Sequence, residues 1–294
     1  MKRFTVFTPT FNRGYIIEKL YKSLQRQTFR DFEWLVIDDG STDNTAEIFS
    51  RICSEANDFP IRYFKTNNGG KHRAINRGVK EANGELFYIV DSDDFLLVGA
   101  LENADQIEKT IPESEKEKYC GICGLRGYDE FNMIGTTFVG DLLDITAADR
   151  ANYKIAGDKA EIFYTDVLRR FPFPEFENEN FLTESIVWDR MAHDGYLLRF
   201  FNDIQIVCNY LPDGLTNQGQ SLFIKNPKGY GLFLSQKSEY KKLCGLFKWN
   251  AYYRYYNELR NTLSYCEMAR NLNINCLLYY IRIFGMKLFY KLYD

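Results

Sequence analysis

FYIVDSDDFLL, residues 87–97, is an apolar run that stops abruptly at three carboxylates, Asp91, Asp93 and Asp94. The run has the length and composition of a buried strand. Neighbouring carboxylates repel one another, and an unpaired charge is costly to bury, so something must neutralise them. A divalent cation is one candidate. The other is an Asp-rich turn followed by a helix cap, since Asp favours both positions. The stretch alone leaves the two open.

Working back from it, the first hundred residues alternate regularly. FTVFT is followed by a helical stretch from Arg13 to Gln27, then FEWLVID, then a helix opening in STDNTAEIF. IRYFK, a helix from Lys71 to Ala82 and ELFYIVD continue the order. This alternation predicts an α/β fold, with a mostly parallel sheet flanked by helices. Such open sheets bind ligands beyond the carboxyl ends of their strands. Three of those ends carry polar clusters: TPTFNR, DDGSTDNT and DSDD. Gly40 allows a tight turn, and Ser41, Asp43 and Thr45 supply helix-capping chemistry. Each cluster alone is an ordinary turn; three on one sheet edge predict a shared crevice.

The rest of the chain is less regular. CGICGL, IGTTFV and AEIFYTDVL predict further strands, some antiparallel, and LLRFFNDIQIVCNYL predicts a closing strand pair ended by Pro212 and Gly214. Between them, Phe181, Ile186, Val187, Met191 and Ala192 give one apolar helical face, with Glu184 near its start. Beyond about Ser221, aromatic and basic residues interleave through LCGLFKWNAYYRYYNELRNTL and NINCLLYYIRIFGMKLFYKLYD. Both suit amphipathic helices. For the last one, a packed subdomain, a homodimer interface and a helix lying on a membrane surface all remain open. The organisation expected is a domain over residues 1–217 and a helical region over 218–294.

Composition narrows the function classes. The 294 residues are 45% hydrophobic with a formal net charge of -3, which suits a soluble globular protein and lacks the positive excess of a general nucleic-acid binder. MKRFTVFTPTF meets Thr, Pro and Asn too early for a signal-peptide core and reads as a first strand. No stretch of about twenty apolar residues suggests a membrane span. Seven scattered cysteines, with Cys120 and Cys123 the lone C-x-x-C pair, predict reduced thiols and a cytoplasmic protein.

Several motif families fail on single residues. Phe95 stands where the Asp-nucleophile phosphatases of the haloacid-dehalogenase type need Thr, and a calcium-binding helix-loop-helix motif would need Asp or Asn at Phe95 and Gly at Leu96. A dinucleotide-binding fold would need G-x-G-x-x-G where TPTFNR stands.

TVFTPTFNR, WLVIDDGSTDNT, NNGGKHRAINRGVKEANGE and FYIVDSDD together resemble the family 2 glycosyltransferases. The resemblance runs over residues 2–98 and more loosely to about 217. It implies a GT-A fold, a nucleotide-sugar site in the first segments, and an Asp-x-Asp motif holding Mn²⁺ or Mg²⁺ against the donor diphosphate. DSDD then supplies Asp93 as direct metal ligand and Asp91 at the ribose or the metal's water shell. Thr8, Pro9 and Phe11 form the wall for the base, and Asp39 the carboxylate that reads it, with uridine favoured through its N3–H. Lys71 and Arg73 approach the base or the phosphates.

The same resemblance implies an inverting displacement with a carboxylate base at the start of a helix after the sheet. Glu184 in FLTESIVWDR is that residue; Ser185 departs from the family's common Glu-Asp pair, and Asp189 is the reserve. Trp188 reads as core, with stacking on a sugar as the other option. The implied function is transfer from a UDP-sugar to a glycan or lipid-linked acceptor in bacterial polysaccharide synthesis, at the inner face of the cell membrane if the last helix touches lipid. A non-catalytic nucleotide-sugar binder and a nucleotidyltransferase are the alternatives.

Overall fold

The strand that ends in DSDD lies at the centre of the sheet. In the computed structural model, which describes residues 2–240 and 245–293, β1 (Lys2–Thr10), β2 (Phe32–Asp38), β3 (Ile61–Lys65) and β4 (Gly84–Ile89) are parallel, with β2 and β4 on either side of β1. β2 is buried at every position, as expected of a strand covered on both faces. The helices α1 (Glu18–Gln25), α2 (Thr45–Ser54) and α3 (Lys71–Glu81) form the crossovers.

The sheet continues through β5 (Phe95–Leu96), β6 (Tyr119–Gly127), β7 (Leu142–Ile145), β8 (Lys159–Tyr164) and β9 (Leu197–Val207). Among the described residues it has nine strands, in the order β3-β2-β1-β4-β8-β6-β9-β5, with β7 also on β9. The order reverses between β1 and β4. Thr10 opposite Asp38, and Phe7 opposite Ile89, bring the carboxyl ends of β1, β2 and β4 to one edge. This is the α/β, GT-A-like arrangement expected from the sequence.

Further helices are α4 (Ala100–Lys109), α5 (Thr165–Arg170) and α6 (Ser185–His193). After β9 the chain is helical: α7 (Leu215–Gln218), α8 (Gln220–Lys225), α9 (Pro227–Tyr240), α10 (Gly245–Leu259), α11 (Tyr265–Asn271) and α12 (Cys276–Tyr293). One apolar core surrounds the sheet, with Trp34, Phe4 and Phe87 fully buried. A second joins α9 to α12 through Tyr230, Tyr252, Tyr255, Leu259, Tyr279 and Ile283.

Four local expectations are corrected. LLRFFNDIQIV is one strand of 11 residues: β9 stays paired to β6 through a register shift between Cys123 and Leu125, and Asn202 donates to the Phe138 and Gly140 carbonyls instead of turning the chain. IGTTFV forms no strand, only an isolated bridge from Thr136 to Ala156. AEIFYTDVL divides at Tyr164 between β8 and α5. The cysteines are not all reduced, because Cys266 in α11 and Cys276 at the start of α12 form a disulfide. Cys120 and Cys123 are free thiols buried in β6, and burial pushes Cys120 up to about 12. Leu243 and Cys244 lie outside the described residues.

His72, the second residue of α3, is 2% exposed, and its Nδ1 has no hydrogen-bond partner among the described residues. Burial, helped by the Arg73 charge, lowers its pKa from 6.5 to about 4. The fold therefore holds the neutral ring, so this contribution is complete above pH 6.5 and is lost as pH falls from 6.5 towards 4. Between pH 7.5 and 4.5 the parent should lose about 2–3 kcal/mol more unfolding free energy than a His72→Leu variant. Urea unfolding at the two pH values checks this; equal losses would contradict it.

Candidate active site

The three polar turns meet as the strand order requires. Asn12 takes a left-handed conformation, and its side chain accepts from the Thr42 N–H at 2.8 Å while its own N–H donates to the Ser41 hydroxyl at 2.8 Å. Asp43 accepts from Gly14 N–H at 3.0 Å and caps α2 through Thr45. These bonds lock the turns after β1 and β2 together. They form one wall of a cleft of about 990 Å³, lined also by Asp91, Asp93 and Asp94 after β4 and by Glu184.

Pro9, Phe11, Asp39, Lys71, Asp91 and Asp93 all line this cleft, and Phe11 is 43% exposed. Asp39 accepts from the N–H groups of Gly69 and Gly70, each at 2.7 Å, so the turn before α3 is built around its carboxylate. Burial raises its pKa despite those bonds. Gly70 is required there, because its φ is +96° and a Cβ would lie 1.8 Å from the Asn180 carbonyl oxygen.

Two expected contacts are corrected. Thr8 is fully buried beneath the cleft, and its hydroxyl accepts from the Trp34 indole at 3.0 Å, so its side chain cannot form a wall for a base. Arg73 does not line the cleft either. Its guanidinium donates to the carbonyls of Gly69, Phe176 and Glu179 at 2.5–2.6 Å, fastening α3 to the 174–180 segment. A residue two positions from Lys71 on a helix points elsewhere, which the spacing could have revealed.

That fastening positions Glu184. Asn226 accepts from the N–H groups of Asn180 and Phe181, and Glu179 accepts from Lys228 and Gly229 N–H at the start of α9. The segment reaches α6 with Glu184 at its N-cap position and in the cleft. Asp189, further along α6, does not line the cleft. Trp188 does, while packing against Phe163 at 4.3 Å, so it serves both the core and the wall.

The acidic cluster is neutralised from two sides. Lys71 Nζ lies 2.6 Å from Asp91 and 2.9 Å from Glu184, bridging the carboxylates. Burial opposes its charge, but the two carboxylates outweigh burial and raise its pKa. Arg126 on β6 lies 3.4 Å from Asp91 and 3.1 Å from Asp94. Asp91 is consequently held well below the ordinary carboxylate range, Lys71 and Arg126 overcoming its burial. Asp94 moves upward, through burial and the charge on Asp91. It also accepts from the Asn209 N–H at 3.1 Å, and Asn209 donates from its side chain to the Asp93 carbonyl at 2.7 Å. Arg126 and Asn209 were not singled out in the sequence, although a lone Arg closing the apolar run CGICGL was a signal for the first.

Over its first half the chain is similar to glycosyl transferase family 2. That family's sequence profile matches residues 5–137, which carry the three turns of the cleft. Over 271 residues the chain is 28% identical to the GalNAc(5)-diNAcBac-PP-undecaprenol beta-1,3-glucosyltransferase of Campylobacter jejuni, covering 86% of this chain and 83% of that protein. Poly(ribitol-phosphate) beta-N-acetylglucosaminyltransferase TarS of Staphylococcus aureus is 37% identical over 106 residues, which are 35% of this chain and 18% of that protein. The fold matches the crystal structure of S. aureus TarS 1-349 in complex with UDP, with a TM-score of 0.60 and 20% identity over 87% of this chain and 70% of that one. It also matches the mannosyltransferase PcManGT of Pyrobaculum calidifontis in complex with GDP-Man and Mn²⁺, with a TM-score of 0.56 and 19% identity over 90% and 76% of the two chains.

The family implies a divalent cation, and the residues fit one in a particular way. Among the described residues, no three His, Cys, Asp or Glu side chains form a ready ligand set. Sites that bind Mg²⁺ against substrate phosphates need only one or two carboxylates from the protein. Asp93 has no ion pair among the described residues, unlike Asp91 and Asp94, and burial and the Asp91 charge raise its pKa. It is the carboxylate still lacking a counter-charge.

Proposed function

We propose that the protein is an inverting glycosyltransferase that moves a sugar from a UDP-sugar to an acceptor hydroxyl during bacterial glycan synthesis. The observation that carries this is the bridge in which Lys71 ties Glu184 to Asp91 within one cleft, at 2.9 and 2.6 Å. It puts a carboxylate able to accept a proton beside the acidic turn that faces the donor. The acceptor oxygen attacks the anomeric carbon as Glu184 takes its proton, and the bond to the diphosphate breaks with its electron pair leaving on UDP. A single displacement inverts the carbon.

Phe11 and Pro9 bound the base, and Asp39 reads it by accepting from uracil N3–H. Asp93, with Asp91, would hold Mn²⁺ or Mg²⁺, which neutralises charge on the leaving diphosphate when bound. Lys71 and Arg126 add fixed positive charge on the same side. A lipid-linked or glycan acceptor is supported by the lipid-diphosphate named in the Campylobacter enzyme's description.

The test is calorimetric titration of UDP with Mn²⁺, with EDTA, and with Asp93→Asn, followed by a panel of nucleotide sugars scored for released UDP with glycan acceptors. Binding should weaken at least about tenfold without metal or without Asp93. Absence of UDP binding with metal present would overturn the donor assignment. Binding with no turnover on any donor would leave a nucleotide-sugar-binding protein instead.

A further inference from the structure

The C-terminal helix α12 has two apolar faces, and the second core covers only one of them. Tyr279, Ile283, Met286 and Tyr290 recur at i, i+4, i+7 and i+11. The first two are fully buried and Met286 is nearly so, while Tyr290 stacks on Tyr253 and donates to Asn250 at 2.9 Å. Leu277, Ile281, Phe284 and Leu288 repeat the same spacing two residues out of step, which turns them to the opposite side of the helix. They are 67%, 56%, 53% and 50% exposed. A soluble surface helix normally carries charge on that side.

The charge that α12 does carry flanks the stripe. Arg282 lies on one side of it, and Lys287 and Lys291 on the other; residues 276–293 contain no Asp or Glu. None of the three bases forms an ion pair among the described residues. Arg282 sits over the Trp249 ring at 5.7 Å, and Lys287 over Tyr256 at 4.4 Å. Phe247, 76% exposed, lies one turn before Asn250 on α10, the residue that accepts from Tyr290 of α12.

We propose that this face lies flat on an anionic lipid bilayer, its leucine, isoleucine and phenylalanine side chains among the acyl chains and its bases at the head groups. Apolar stripes bordered by long basic side chains suit that boundary. No helix among the described residues is long and apolar enough to cross a membrane, and α12 is fixed to the second core by its other face. A second copy of the chain fits less well, because like faces would oppose Arg282 and Lys291 with no acid on either helix to pair with them. The proposal rests on α12 alone and stands or falls independently of the donor site.

The experiment is co-sedimentation of the full chain with vesicles of phosphatidylcholine alone and of phosphatidylcholine with phosphatidylglycerol, alongside sedimentation equilibrium without lipid. The parent should bind the anionic vesicles at least tenfold more tightly than the neutral ones, and more weakly as salt rises. Ile281→Asn/Phe284→Asn should lose at least tenfold, and Arg282→Gln/Lys291→Gln should lose the preference for anionic lipid, both with UDP affinity and circular dichroism unchanged. Parent binding no tighter to anionic than to neutral vesicles, or no loss in the Asn variant, would overturn the proposal. So would a parent dimer that the Asn variant converts to monomer, because a second copy would then cover the face.

Discussion

Glu184→Gln is expected to lower kcat by a factor of about 10²–10⁴ while UDP affinity stays within about threefold of the parent. Gln keeps the length of the side chain and an oxygen that can accept from Lys71, now 2.9 Å from the Glu184 carboxylate. What it loses is the capacity to take a proton. The donor side should therefore stay assembled, because Asp91 keeps Lys71 at 2.6 Å and Arg126 at 3.4 Å. Asp189→Asn gives the contrast: Asp189 does not line the cleft, and its variant should turn over at close to the parental rate. Single-turnover release of UDP, with calorimetry for affinity, separates the outcomes. A Glu184→Gln enzyme retaining more than about a tenth of parental kcat would remove Glu184 from the chemistry.

The parallel half of this fold was open to reading because its signals are local. A buried central strand such as FEWLVID is apolar without alternation, and each turn that follows must supply its own caps and glycines. The ordering of three polar turns on one edge followed from the crossover rule alone. The antiparallel half was harder, since its pairing depends on partners distant in sequence. Asn202 and Asp203 look like a turn, yet β9 passes through them because β6 accommodates a register shift.

The same distinction governs the site. Asp39, Asp91, Asp93, Lys71 and Glu184 sit in or beside turns whose polarity breaks an apolar pattern, and all of them reach the cleft. Arg73 shares that appearance but is consumed by three backbone carbonyls, and Thr8 faces the indole of Trp34. Arg126 was passed over for the opposite reason. Its importance comes from which strands stand beside β6, and strand order is a property of the fold rather than of its own neighbours. The expectation that the DSDD charges must be neutralised was sound as physics. The sequence could not show that Lys71 and Arg126 stand against Asp91 and Asp94 while Asp93 has no ion pair among the described residues.

That division of charge makes Arg126→Met a strongly destabilising substitution. Arg126 is largely buried, donates to the Lys159 carbonyl at 2.9 Å and faces Asp91 and Asp94. Removing one member of a buried ion pair costs about 3–5 kcal/mol, because the remaining charge stays desolvated without a partner. Met fills much of the volume, so the loss is electrostatic more than a cavity effect, and Lys71 relieves only Asp91. Asp94 should then bear most of the cost. Its pKa in the fold already lies above the ordinary 3.8, so its contribution to stability is complete below 3.8 and is lost as pH rises through the raised value. Without Arg126 that value rises further. The stability gap between variant and parent should therefore be widest near pH 8 and narrow towards pH 5, where Asp94 takes up a proton in both. Adding Asp94→Asn to the Arg126→Met background should recover part of the loss at pH 8. Urea unfolding of the three proteins across that range decides it: a gap that does not change with pH, and no recovery from Asp94→Asn, would mean that Arg126 acts through packing and its bond to Lys159 instead of through the carboxylates.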